Sequence, residues 1–189
     1  IIIALHRKPQ GVNKSAVAKY SSAGTQIWIT DELNGDSSNG TNLSTLMIDS
    51  SGNAVVAGWE KLASSTGLRV SKIDTNGNII FNKIVTMLDP FSEQNGKYNI
   101  AESSDGNYVV ATSYKLFKVN SSSGDGISSS DWTDTWRKFM TNMEPKNDGN
   151  IVYSSTYKST SMHNKIQIID SSLSIISEYD NYLPLSYLL

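Results

Sequence analysis

Short apolar runs separated by small polar turns organise this chain from end to end. Residues 54–61 read as a strand whose first six positions, 54–59, carry no polar side chain, and in residues 68–74 Leu68, Val70 and Ile73 are apolar while Arg69, Ser71 and Lys72 are polar. That spacing is closer to a period of two than to 3.6, which predicts strands. The turns between runs are Ser50-Ser51-Gly52-Asn53 and Thr75-Asn76-Gly77-Asn78. Asn-Gly between β-branched runs is a strong hairpin signal. Trp136–Met143 comes nearest to a helical stripe, but it falls where the surrounding pattern requires a strand. Caps followed by long periodic faces, the usual helix signals, are missing.

The pattern repeats. Asp105-Gly106-Asn107-Tyr108-Val109-Val110-Ala111 follows Ser51-Gly52-Asn53-Ala54-Val55-Val56-Ala57 and precedes Asp148-Gly149-Asn150-Ile151-Val152-Tyr153-Ser154. Gly24 to Gly77 and Trp28 to Phe81 share one offset of 53 residues. The predicted strands group into repeats over approximately 1–30, 45–85, 98–139 and 141–179. Within them, 121–130 is read as a loop, 132–139 as the fourth strand of the third repeat, and 171–172 as a turn. Trp28, Phe81, Trp136 and Ile176 are expected at matching places in the fourth strand of each repeat. The tail 182–189 is apolar enough to supply a strand that the first repeat lacks. Opening on Ile1-Ile2-Ile3 fits a strand entered midway in a longer or processed protein.

Four antiparallel strands per unit at a period of about fifty residues predict an all-β chain, a β-propeller of four-stranded blades. One small sheet cannot bury both faces, and stacking sheets covers them. The chain resembles the bacterial β-propeller repeats of the type DGN-x-V-V and K-x-D-x-N-G-x-x-x-W. The matching stretches are Asp105–Ala111, Lys72–Phe81 and Lys19–Trp28. The resemblance implies about four blades, either a closed four-bladed ring or part of a larger one. It implies no activity, because such repeats serve many functions.

Composition narrows the function. A formal net charge of -2 leaves no basic surplus for phosphates, so nucleic acid is not an expected partner. Cysteine is absent, which removes disulfides and thiolate metal sites. No apolar run approaches the roughly 20 residues of a membrane-spanning helix. The polar share rests on Ser, Thr and Asn, which points to an extracellular or cell-surface protein.

Candidate chemistry is sparse. Trp59 and Trp132 do not recur at matching places and are the expected exposed recognition aromatics, with Tyr153 and Tyr157 behind them. In an extended strand Trp132, Asp134 and Trp136 share one face, a row that can grip a sugar or a cation. Asp74, Asn76 and Asn78 offer oxygens to calcium, but lack a terminal bidentate carboxylate, and turn capping alone accounts for them. No cofactor is otherwise expected. His6 and His163 are the only histidines, and no nucleophile elbow or phosphate loop is present. The expected function is a non-catalytic module that binds a protein or glycan on a loop face, or a scaffold. The alternatives are a propeller hydrolase or lyase fragment with acids at the ring mouth, and a surface protein that self-assembles if its ring is incomplete.

Overall fold

The structure, a computed structural model, describes residues 1–7, 14–31, 33, 40–62, 64–88, 98–113, 115–131, 138–158 and 162–183. The regular structure of these residues is all strand. The first sheet holds β1 (Ile2–Arg7), β2 (Lys14–Tyr20) and β3 (Gln26–Thr30). The second holds β4 (Thr41–Ile48), β5 (Ala54–Lys61), β6 (Thr66–Ile73) and β7 (Ile79–Leu88). The third holds β8 (Asn99–Glu102), β9 (Tyr108–Ala111), β10 (Lys115–Val119) and β11 (Gly126–Asp131). The fourth holds β12 (Lys138–Pro145), β13 (Ile151–Lys158), β14 (Met162–Ile169) and β15 (Ile175–Leu183). Each sheet is an antiparallel meander in chain order. Two compact units contain them: Ile1–Asn95 with Asn120–Gly126, and Gly96–Val119 with Ile127–Leu189.

One turn geometry recurs. In Asp74–Asn78 the Gly77 N–H donates to the Asp74 carbonyl at 3.1 Å and the Asp74 N–H to the Asn78 carbonyl at 2.9 Å. Gly77 has φ +93. This is a type I turn closed by a left-handed residue, for which Asp at the first position and Gly at the fourth are the favoured chemistry. The same pair of bonds closes 21–25, 49–53, 103–107, 146–150 and 170–174. The 120–125 turn is one residue longer.

The sixth of these turns carries Leu173 at φ 70 where the others carry glycine. Its side chain is 3% exposed, in a cluster with Leu116, Met143, Ile151, Tyr153 and Ile169. Relieving the left-handed strain would gain about 1–2 kcal/mol, whereas deleting a buried leucine side chain costs about 2–5 kcal/mol. Burial wins. Leu173→Gly is therefore expected to lower stability by about 1–3 kcal/mol in denaturant unfolding, and a gain would show that the side chain is not part of the core.

A second device also repeats. Lys19 lies directly opposite Trp28, and Lys72 opposite Phe81, on neighbouring strands. Lys19 Nζ and Trp28 Nε1 both donate to the Thr75 carbonyl, at 3.3 and 3.0 Å. Lys72 Nζ donates to the Ser121 carbonyl at 3.1 Å. Lys118 donates to the Ser171 carbonyl. Each acceptor is the second residue of a 74–78-type turn or of its longer 120–125 variant. The rings sit over the left-handed glycines of those turns: a Cβ built on Gly77 would lie 2.9 Å from Trp28 Cγ, and one on Gly124 2.5 Å from Phe81 Cδ2. β11, read GISSSD, offers no aromatic above 170–174. There Leu173 fills the volume from the turn side.

Lys118 also pairs with Asp105 at 2.5 Å. Partial burial alone would raise the Asp105 carboxyl, but Lys118, Ser103 and Asn107 outweigh it and hold the group well below the usual carboxylate range. A depressed folded-state value means stabilisation complete above the unfolded value near 3.8 and lost as pH falls below it. Asp105 is 38% exposed, so solvent screening limits the effect to about 1 kcal/mol or less. Asp105→Asn is expected to flatten the decline of stability below about pH 4 in acid titration of unfolding; an unchanged acid limb would contradict it.

The structure corrects several expectations. The fourth strand of the third sheet is β11, inside the stretch read as a loop, and 132–137 lie outside the described residues. Phe139 belongs to β12. Ile176 does not match Trp28 and Phe81: Ile168 pairs with Ser177, while Ile27, Ile80 and Ile176 are the skipped residues of equivalent bulges, all exposed. Tyr182 and Leu183 extend β15 opposite His163 and Met162 and form no separate strand. Residues 184–189 lie outside the described set.

Candidate functional site

The fourth sheet has two unlike faces, set by the period-two alternation of its strands. One face is closed. Tyr153 OH donates to Gln167 Oε1, Gln167 Nε2 donates to Glu178 Oε2, and Lys165 Nζ pairs with Glu178 Oε1 at 2.9 Å. Tyr153, Ser155, Lys165 and Gln167 are buried. The carboxylate and amide satisfy polar groups that the core would otherwise strand without water. Ser155 Oγ is buried with no partner among the described residues. It lies opposite Lys165, but its burial denies a substrate access.

The other face is open. Val152, Ile168 and Ser177 form one row across the sheet, and Ser154, Ile166 and Tyr179 the next. Ile166 is 45% and Tyr179 63% exposed. A shallow pocket of about 250 Å³ on this face is lined by Glu144, Pro145, Lys146, Val152, Ser154 and Ile166. Its floor is apolar and its rim carries one acid and one base, with Lys146 bonded to Asp148 at 2.7 Å. An apolar centre with a polar rim is the anatomy of a protein contact. Ile168 and Ser177 hold the places that lysine and an aromatic ring hold in the first two sheets.

The sequence-predicted residues do not converge. Trp59 is only 9% exposed, on β5, whose residues are all buried except Lys61. It is a packing residue, since every residue of β5 but Lys61 is buried and both faces of this strand are therefore covered. Tyr153 is fully buried in the ladder above. The expectation that both face solvent is therefore corrected. Trp132 and Asp134 lie outside the described residues. Tyr157 stands on β13 opposite His163, and its side chain is outside the described set.

Asp74, Asn76 and Asn78 form their own turn. The N–H groups of Asn76 and Asn78 donate to Asp74 Oδ1, each at 2.8 Å, and Asn78 Nδ2 donates to Oδ2 at 2.9 Å. Asn78, first through its side chain and then its backbone, holds the Asp74 carboxyl below its ordinary value. A cation would compete with these three donors. Among the described residues no group of three or more His, Asp or Glu side chains converges to hold a metal ion. A hydrolase or lyase site would need convergent acids, and among the loop and strand-end carboxylates Asp125 is exposed and paired with Lys83 at 2.6 Å. Glu102 is half-buried at the end of β8. Glu32, Asp36, Asp89 and Glu93 lie outside the described residues. Among the described residues no helix is long and apolar enough to cross a membrane.

Sequence reasoning missed the open face of β13–β15. The signal was available: the third-strand lysine of the repeat, Lys19, Lys72 and Lys118, becomes Ile168 in the fourth.

No family model matches the sequence, and no curated protein matches it. Solved structures do. A protein of unknown function from Bacteroides caccae is 13% identical, with a TM-score of 0.55 over 89% of this chain and 56% of that one. BamB from Moraxella catarrhalis is 12% identical, with a TM-score of 0.54 over 95% of this chain and 51% of that one. An unknown-function protein from Dyadobacter fermentans is 10% identical, with a TM-score of 0.59 over 95% of this chain and 55% of that one. The chain spans about half the length of these structures. The fold is all-β and of the β-propeller type.

Proposed function

We propose that this chain is a non-catalytic β-propeller-type module that binds another protein, working outside the cell or at its surface. The observation that carries the reading is the open face of the fourth sheet. Ile166, Ile168 and Tyr179 stand there with Glu144 and Lys146 at the rim. Large exposed apolar groups rimmed by charge favour a protein partner over a glycan, which needs a denser set of hydrogen-bonding groups. A Ser-, Thr- and Asn-rich composition without cysteine supports the extracellular part of the reading.

The test is cross-linking capture from the native organism's envelope fraction with wild type and with Ile166→Lys/Tyr179→Lys, beside a panel of hydrolase and lyase substrates. A defined partner retained by wild type and lost by the variant, with no turnover, is the expected result. Turnover of any substrate by wild type would overturn the non-catalytic reading, and a partner held equally by both proteins would overturn the assigned face.

A further inference from the structure

The first sheet carries a copy of a seat that the described residues fill twice elsewhere in the first unit and leave unfilled here. The filled seats consist of a turn with a left-handed glycine, an aromatic ring over that glycine, and a lysine on the carbonyl of the turn's second residue. Trp28 and Lys19 fill the seat at Gly77 and Thr75, and Phe81 and Lys72 fill the one at Gly124 and Ser121. In both, lysine and ring come from directly opposed positions on neighbouring antiparallel strands. The turn 21–25 has the same two backbone bonds as the turn at Gly77, and Gly24 has φ +81. Among the described residues nothing lies within 4 Å of a Cβ built on Gly24. Beside it Ile1, Ile3 and Ile27 are exposed.

We infer that this end of the first sheet docks a β-sheet from outside this 189-residue sequence, one that brings a tryptophan or phenylalanine onto Gly24 and the lysine opposite that ring onto the Ser22 carbonyl. The fourth sheet of a second copy does not qualify. At the two decisive places it offers Ile168 and Ser177, which supply neither an ammonium donor nor a ring. A serine over Gly24 leaves the void that Trp28 fills over Gly77, and voids at such contacts are costly. The fold itself shows the remedy when a ring is absent: where β11 gives none, Leu173 fills the space from the turn. Gly24 has no side chain to do so.

The probe is the chain itself with the missing pair installed. Ile168→Lys/Ser177→Trp places lysine and indole at opposed positions on the open face, where Ser177 is exposed and Ile168 half-buried. Sedimentation over a dilution series and hydrogen exchange of residues 21–25 are read together. The expected result is self-association about tenfold or more tighter than wild type, with new protection of the 21–25 amides. Both should be reversed by adding Gly24→Leu, which puts a side chain where the ring would sit, at a cost in left-handed strain. Ser177→Trp alone, giving a smaller shift of the same sign, covers the case in which the double variant folds poorly. A graft that behaves as wild type, or association that survives Gly24→Leu, would overturn the seat. Wild type whose 21–25 amides are already protected in a concentration-dependent, Gly24→Leu-sensitive way would overturn the exclusion of the fourth sheet.

Discussion

Gly58→Ala is expected to lower stability by about 3 kcal/mol. Gly58 is buried in mid-strand on β5, opposite Leu43 on β4. A Cβ there would drive into the Asn42 carbonyl oxygen and come within 2.7 Å of Leu43 Cα. Both obstacles are backbone, so no rotamer change can clear them. The close approach accompanies the bulge between Leu43 and Thr45, where β4 shifts register against β5; bulges of this kind bring one strand's backbone toward its neighbour. Denaturant unfolding of Gly58→Ala beside Gly106→Ala separates the causes. Gly106 has φ +75 but open space around it among the described residues, so its substitution is expected to cost about 1 kcal/mol. Equal losses at the two positions would mean that backbone strain, not the strand contact, dominates at Gly58.

Removing one member of the Glu60–Arg69 pair is expected to cost about 3–5 kcal/mol, and removing both much less. Glu60 is 1% exposed on β5, and Arg69 donates to it from β6 through Nε. Arg69 Nη1 also donates to Asn82 Oδ1 at 2.6 Å, and Ser71 Oγ to the same atom at 2.7 Å. The charges are mutually neutralised and hydrogen-bonded but carry a heavy desolvation cost, so their net worth is small. Their interdependence is large, because either alone would be a bare buried charge. Glu60→Leu and Arg69→Met singly, and then together, form a double-mutant cycle in urea. A double variant within about 1 kcal/mol of wild type fits this account; additive losses would contradict it.

What the sequence made legible follows from which signals are local. The hairpins were readable because Asp-x-x-Gly-Asn encodes a turn within five residues, and β5 was read with its observed bounds, 54–61. β11 was not readable: Gly-Ile-Ser-Ser-Ser-Asp has the composition of a loop, and it is a strand only because β10 pairs with it. The nearby tryptophans then drew the strand assignment to 132–139. Trp59 reads as a surface residue because it breaks the repeat of aromatic positions, with Tyr153 behind it. Yet every residue of β5 but Lys61 is buried, so alternation does not separate core from solvent there, and Tyr153 lies on the closed face of β13, bonded to Gln167. Leu173 could not be foreseen, since its left-handed backbone is sustained by packing against distant residues of the second unit. The open face of the fourth sheet was encoded in one substitution within the repeat, lysine to Ile168, whose meaning appears only once the Lys19 and Lys72 contacts are known.

The central claim is that rings from one sheet sit on the left-handed glycines of the turns that follow. Proton NMR of the glycine α-hydrogens tests it most directly, because an aromatic face shields protons held against it. Gly77 and Gly124 are predicted to resonate well upfield of Gly24, and the Gly77 shift should return to the Gly24 position in Trp28→Leu while Gly124 stays unmoved. Three glycines with the same ordinary shift, or a Gly77 resonance indifferent to the loss of Trp28, would contradict the account.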